Sequence, residues 1–262
     1  MKSNVNQKKV VAVIPARLGS TRFPGKPLKP ILGLPMIEHV RRRALLCGML
    51  DDVIVATCDQ EILQVVQANG GKAVMTSPAH ERCTDRVEEA VKDLECDIVV
   101  ILQGDEPLFN PQVVEMIVSP MLADEKIDCV NLLSAISNRN DLSDPDIVKA
   151  ALDQKKFILF YSRSPIPYLR TNDPQPPLYR QTGISAFSKS FLRQFSALVP
   201  TPLEAAESVD FLRILEHRFP ILGVVYNAQT VGVDQPDDIS LVEDILRHDP
   251  QHKRLYEEIL AL

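Results

Sequence analysis

Short apolar runs alternate with stretches of helical periodicity through the first half of the chain. Residues 10–14, 52–56, 72–75, 97–102 and 129–134 are runs with the length of buried strands. Between them, 35–47, 60–67, 82–94 and 111–122 carry the spacing of amphipathic helices. The alternation predicts a doubly wound α/β fold with a mostly parallel sheet and helices on both faces. After Asp144 the pattern changes. A proline-rich loop at 165–177 is followed by a strand-like segment at 181–187, a helix predicted over 202–217, and an apolar run at 222–226 that returns to the sheet. This part reads as a small α+β lobe at about 165–220, laid over the ligand face of a single domain spanning 1–262.

The chain has 262 residues, 45% hydrophobic and 24% charged, which is enough to bury a full core. Its net charge of −6, with no basic block, argues against nucleic acid as the main partner. No 18-residue apolar span occurs, and the polar start, 1–9, has no apolar signal core; a cytoplasmic protein with no membrane partner is expected. Cys47, Cys58, Cys83, Cys96 and Cys129 form no C-x-x-C pair, and the five histidines form no H-x-x-x-H pair. Reduced thiols and no zinc site follow.

Against that acidic balance, one loop is cationic. The run 10–14 empties into Pro15, which is expected to end the ladder, and then into Arg17, Arg22 and Lys26 with Gly19 and Gly25 interleaved. In an open α/β sheet this is the carboxyl edge, where ligands bind, and two guanidiniums with one ammonium can divide a triphosphate's charge. The run 97–102 delivers Gln103 and Asp105 to the same rim, so they should face the same ligand. An aspartate beside phosphates is unfavourable unless a divalent cation lies between them, which predicts Mg²⁺. No Ser/His/Asp or Cys/His arrangement supports a covalent enzyme intermediate. Asp237 and Asp238, just before Ile239, Leu241 and Val242, read as caps of a terminal helix.

The spacing Pro15-Ala-Arg-x-x-Ser20-x-Arg22-x-x-Gly25-Lys26-Pro27-Leu resembles the opening of bacterial sugar nucleotidyltransferases, and most of all the 3-deoxy-manno-octulosonate cytidylyltransferase (CMP-Kdo synthetase) family. The resemblance continues through Pro35-Met36-Ile-x-His39-Val, Thr84-Asp85-Arg86, Gln103-Gly-Asp-Glu-Pro107, Phe160-Tyr-Ser-Arg-Ser-Pro-Ile-Pro167, Pro202-Leu-Glu204 and Gly232-Val-Asp-Gln-Pro-Asp-Asp238. It implies a nucleotide-diphospho-sugar transferase-like fold and transfer of CMP from CTP to the hydroxyl of an acidic sugar, releasing pyrophosphate, in lipopolysaccharide biosynthesis. It places CTP on Arg17, Ser20, Arg22, Lys26, Thr84 and Gln103, and Mg²⁺ on Asp105 and Asp234. Arg17, Lys26 and the two aspartates would carry catalysis. Arg163 would take the acceptor's carboxylate, beside Gln181, Ser185, Glu204, Glu207 and Asp210. A homodimer formed through 180–220 is also implied.

The chain departs from the family pattern in the acceptor region. Gln181 stands for a histidine, Ser185 for a tyrosine, Asp210-Phe211 for a Glu-Gln pair, and Arg82-Cys83 precede Thr84 where Ser-Gly is usual. An apolar ring in place of an amide predicts a changed acceptor preference, because an unmatched substrate hydroxyl is strongly selected against. A different acidic or phosphonate-like acceptor therefore stays open beside the strict family reading. So does a catalytically silent nucleotide-binding paralogue, though the retained cations and acids weigh against it.

Overall fold

The structure, a computed structural model, describes residues 8–19, 23–170, 176–227 and 231–262. In chain order its first elements are β1 (Val10–Ala16), β2 (Pro30–Ile31), β3 (Leu34–Pro35), α1 (Met36–Leu45), β4 (Asp52–Thr57), α2 (Gln60–Ala68), β5 (Lys72–Met75), α3 (Cys83–Val91) and β6 (Ile98–Ile101). Then come α4 (Gln112–Ala123), β7 (Cys129–Ala135), β8 (Lys149–Leu152), β9 (Ile158–Ser162), β10 (Tyr179–Ser188), α5 (Lys189–Ser196), α6 (Pro202–Glu207) and α7 (Phe211–Glu216). The last are β11 (Leu222–Tyr226), α8 (Asp238–His248) and α9 (Pro250–Leu260). None of the described helices is long and apolar enough to cross a membrane.

The chain divides into two compact units, one of residues 1–115 with 230–262 and one of residues 116–229. The lobe expected at 165–220 falls inside the second unit, whose bounds are wider. In the first unit β1 pairs in parallel with β4 and with β6, and β4 pairs in parallel with β5. The order β6-β1-β4-β5 has a physical origin in the sequence. Strands buried on both faces must be apolar throughout, and Val10 to Ile14 and Ile98 to Ile101 are all buried. Crossovers from β1 through β4 to β5 run one way, and the return to β6 lands on the other side of β1. The carboxyl ends of β1 and β6 therefore border a topological switch point, where such sheets bind ligands.

Pro15 does not end β1, as its ring had suggested. It pairs with Ala56, and β1 continues to Ala16. The β6 side of the ladder stops at Val13↔Ile101, so the missing N–H of Pro15 falls where no strand partner remains.

In the second unit β11 and β7 are parallel, while β7–β10, β10–β8 and β8–β9 are antiparallel, an α+β arrangement. The helix predicted over 202–217 is two helices. Ser208 adopts the left-handed conformation (φ 53°) at the end of α6, and the chain restarts at α7. The terminal helix is likewise divided, with Asp249 leaving α8 and accepting from the His252 N–H at the start of α9.

The first unit's core joins its two chain segments. Phe23, Ile31, Met36 and Leu108 pack with Val233, Val242 and Leu246. Nearby, His39 of α1 is fully buried, donates from Nε2 to the Ile31 carbonyl (2.9 Å) and stacks on Tyr256 at 5.5 Å. Burial lowers its pKa from 6.5 to about 4. Below pH 6.5 the unfolded chain binds a proton that the folded chain refuses until about pH 4, so stability falls as pH drops across that window. The expected slope is up to about 1.4 kcal/mol per pH unit. Denaturant titrations of the wild type and of His39→Gln at several pH values measure it, and the variant should lose this component; parallel curves would refute the assignment.

Candidate functional site

Two backbone bonds fix the described ends of the loop after β1. The Leu18 N–H donates to Asp59 Oδ2 (2.7 Å), and the Gly25 N–H donates back to the Leu18 carbonyl (3.1 Å). Gly25 takes a left-handed φ of 70°, which glycine adopts without steric penalty, and starts the 3-10 turn Lys26–Leu28. Ser20 and Arg22, two of the expected phosphate ligands, lie outside the described residues.

Lys26 is the centre of the first cluster. Its Nζ donates to Asp105 Oδ2 (2.8 Å) and to the Val233 carbonyl (2.7 Å), and stands 3.8 Å from Asp234 Oδ1. The late segment is pinned to the Asp105 loop by the Val233 N–H donating to the Asp105 carbonyl (2.9 Å). Asp238 does not cap α8 in the manner expected. Its Oδ2 instead accepts from the Asp234 and Gln235 N–H groups (2.7 and 2.8 Å), which fixes the loop that carries Asp234. Asp237 stands at the N-cap position without a side-chain cap bond.

Arg17 and Gln103 meet at a second feature, a cavity of about 160 Å³ at the ends of β1 and β6. Arg82, Cys83, Arg86 and His80 also line it. Three guanidiniums against one lining carboxylate, Glu81, give it a cationic wall suited to an anion. Two of those positions, Arg82 and Cys83, are where the sequence departs from the usual pattern, so the departure lies on a cavity surface. Thr84, expected to bind nucleotide, is buried in the first turn of α3 and is not among the lining residues. The His80 Nε2 is 2.5 Å from Glu89 Oε2. Glu89 also accepts from the Ser77 N–H, and that bond more than the histidine holds its carboxyl below the usual range. The cavity and the Lys26 cluster are joined by Gln103-Gly104-Asp105. A Cβ at Gly104 would lie 3.2 Å from the Pro15 carbonyl oxygen, so glycine permits that close approach.

The acceptor candidates all belong to the second unit, and the structure separates them. Arg163 follows β9; its Nε donates to the Glu207 carbonyl (2.6 Å) and its Nη1 to the Pro145 carbonyl (2.7 Å). The Glu207 carboxylate, expected to face the acceptor, accepts instead from Ser162 Oγ (2.7 Å) and the Arg163 N–H (2.8 Å). Glu204 is engaged within its own unit. It is buried, completes a capping box with Thr201 at the start of α6, and forms a two-bond ion pair with Arg213. A carboxylate that deep requires its charge partner.

Gln181 is half-buried, with its N–H on the Val148 carbonyl. Ser185 is buried opposite Asn131, past a register shift in β10. The Asn131 amide fills that irregularity by donating to the Thr182 and Ile184 carbonyls. Asp210 is half-buried at the N-cap of α7. Phe211, the apolar ring expected at the acceptor, faces inward. Its ring is buried among Tyr161, Phe187 and Phe195 at centroid distances of 6.1, 5.7 and 6.3 Å. It is an edge-to-face partner in an aromatic core rather than an apolar surface offered to a ligand.

Comparison with known proteins agrees with this arrangement. The family model described as cytidylyltransferase matches residues 11–225. A protein of Geobacter metallireducens named 3-deoxy-manno-octulosonate cytidylyltransferase is 40% identical over 91% of this chain and 98% of its own length. A protein of the same name from Chlorobium phaeovibrioides is 42% identical, again over 91% of this chain and 98% of its own. The solved structure of a CMP:2-keto-3-deoxy-manno-octonic acid synthetase complexed with CTP is 40% identical, with a TM-score of 0.87 over 92% of this chain and 99% of that one. A cation-lined switch point, paired acids on one lysine and near full-length similarity lead to one conclusion: the chain belongs to the cytidylyltransferase family.

Proposed function

We propose that this protein transfers CMP from CTP to the hydroxyl of 3-deoxy-manno-octulosonate, releasing pyrophosphate. The observation that carries the reading is the cluster in which Lys26 draws Asp105 and Asp234 around one positive charge. The same two carboxylates fit a magnesium ion. They are hard oxygen donors already gathered about a cation, and magnesium takes one or two carboxylates and completes its shell with water and phosphate oxygens. Bound there, it would supply charge neutralisation at the reacting phosphate.

The acceptor oxygen attacks the α-phosphorus in line, the bond to the bridging oxygen of pyrophosphate breaks, and the hydroxyl proton is lost. Arg17, on the cationic cavity, neutralises triphosphate oxygens in this reading. Lys26 holds Asp105 and Asp234 against their mutual repulsion. Arg163 offers a guanidinium to the acceptor's carboxylate. The cytoplasm is the proposed compartment, supported by the five free cysteines, and a homodimer is proposed from the family resemblance.

Because Phe211 lies in the core, its ring gives no ground for a different acceptor. Pyrophosphate release with CTP and Mg²⁺ tests the reading across a panel of acidic sugars and phosphonates. The octulosonate should give a kcat/KM of about 10⁴ M⁻¹s⁻¹ or above and exceed every alternative. A better alternative acceptor would overturn the assigned sugar, and no turnover with any acceptor would make the chain a silent binding protein.

A further inference from the structure

Lys149, in β8, is fully buried, a position where lysine is rare because an ammonium taken out of water must be compensated in full. Three carbonyl oxygens do so: those of Asp144 (2.7 Å), Ile147 (2.8 Å) and Arg163 (2.5 Å). Burial pushes its pKa below the ordinary lysine value, with Asp144 acting in the opposite direction. An apolar side chain of similar length would fill the same space without that desolvation. What the charge adds is a hold on the peptide that follows Arg163.

The peptide before Arg163 is held from the other side. Glu207 Oε2 accepts the Arg163 N–H, while its Oε1 accepts from Ser162 Oγ. These bonds keep the Glu207 carboxyl below the usual range. The guanidinium itself is fixed at Nε by the Glu207 carbonyl and at Nη1 by the Pro145 carbonyl. Nη2 has no hydrogen-bond partner among the described residues, and the Nη1–Nη2 edge is the one that takes a carboxylate in a forked pair.

We propose that Lys149 and Glu207 are positioning residues, a cation and an anion that clamp the backbone on either side of Arg163 so that its guanidinium meets the acceptor's carboxylate in one orientation. The inference rests on the reading of Arg163 given above as the acceptor's anchor. A misplacement of the order of an ångström in such a contact lowers rates and affinities by about 10- to 100-fold.

The test compares Lys149→Met, Arg163→Ala and the double variant by steady-state kinetics, measuring acceptor KM, CTP KM, kcat and melting temperature. Lys149→Met should raise acceptor KM by about 10- to 100-fold and leave CTP KM unchanged. In the Arg163→Ala background it should add nothing further, because the group it positions is gone. An unchanged acceptor KM in Lys149→Met, whatever its melting temperature, would sink the clamp. An unchanged acceptor KM in Arg163→Ala would instead overturn the anchor reading on which the clamp depends. Glu207→Gln keeps one of the two carboxylate bonds and is judged by the same acceptor-to-CTP split, so the inference stays testable if Lys149→Met does not fold.

Discussion

Asp105→Asn and Asp234→Asn are each expected to reduce kcat by about 100-fold or more while leaving the melting temperature nearly unchanged. The substitution keeps the shape and hydrogen-bonding reach of the side chain and removes only its charge. At Asp105 the amide can still meet Lys26 Nζ, and Lys26 keeps its bond to the Val233 carbonyl, so the loops stay joined. The stability change is small because the carboxylates themselves reach solvent and the Asn side chains keep their hydrogen-bonding reach. The loss therefore reports on the charge needed at the phosphate. Raising the Mg²⁺ concentration should recover part of the activity. Near-normal turnover of either variant would remove these acids from the reaction.

The second large effect is expected at the cations. Arg17→Ala should weaken CTP binding, read by calorimetry, by about 10- to 100-fold, the range for losing a hydrogen bond to a charged group of roughly 1.5–3 kcal/mol. Arg17 is exposed, so its removal should not alter the melting temperature. Lys26→Ala should weaken CTP to a similar degree and also lower the melting temperature. It deletes the Nζ bonds to the Val233 carbonyl and to Asp105 that join the two loops. Unaltered CTP binding in both variants would mean that the β1 loop does not hold the nucleotide.

The parts of this architecture that could be read from residue pattern are those with a single physical solution. A run such as Val-Val-Ala-Val-Ile at 10–14 has no polar face and can only be a strand covered on both sides, so the parallel series and the rim bearing Arg17, Gln103 and Asp105 were legible. The break at Ser208 was not, because no glycine or proline marks it and a left-handed serine announces nothing in sequence. Phe211 and Glu204 were placed at a ligand because motif position says nothing about which face of a short helix is inward. Lys149 passed unnoticed for the opposite reason. A lone lysine reads as surface until the carbonyls of Asp144, Ile147 and Arg163 are found around it.

The first unit is made from two stretches of chain separated by the whole of the second, and this has a consequence for how the protein comes into being during synthesis. The second unit is contiguous, so its strands can pair as soon as they leave the ribosome. The first unit's core lacks Val233, Val242 and Leu246 until translation is nearly finished, and Lys26 and Asp105 must wait as long for Val233 and Asp234. Closing contacts across so large an intervening segment is slow. A polypeptide cut short before residue 233 lacks the Val233 N–H that meets the Asp105 carbonyl, so the loop carrying Asp105 is pinned only when the last part of the chain arrives.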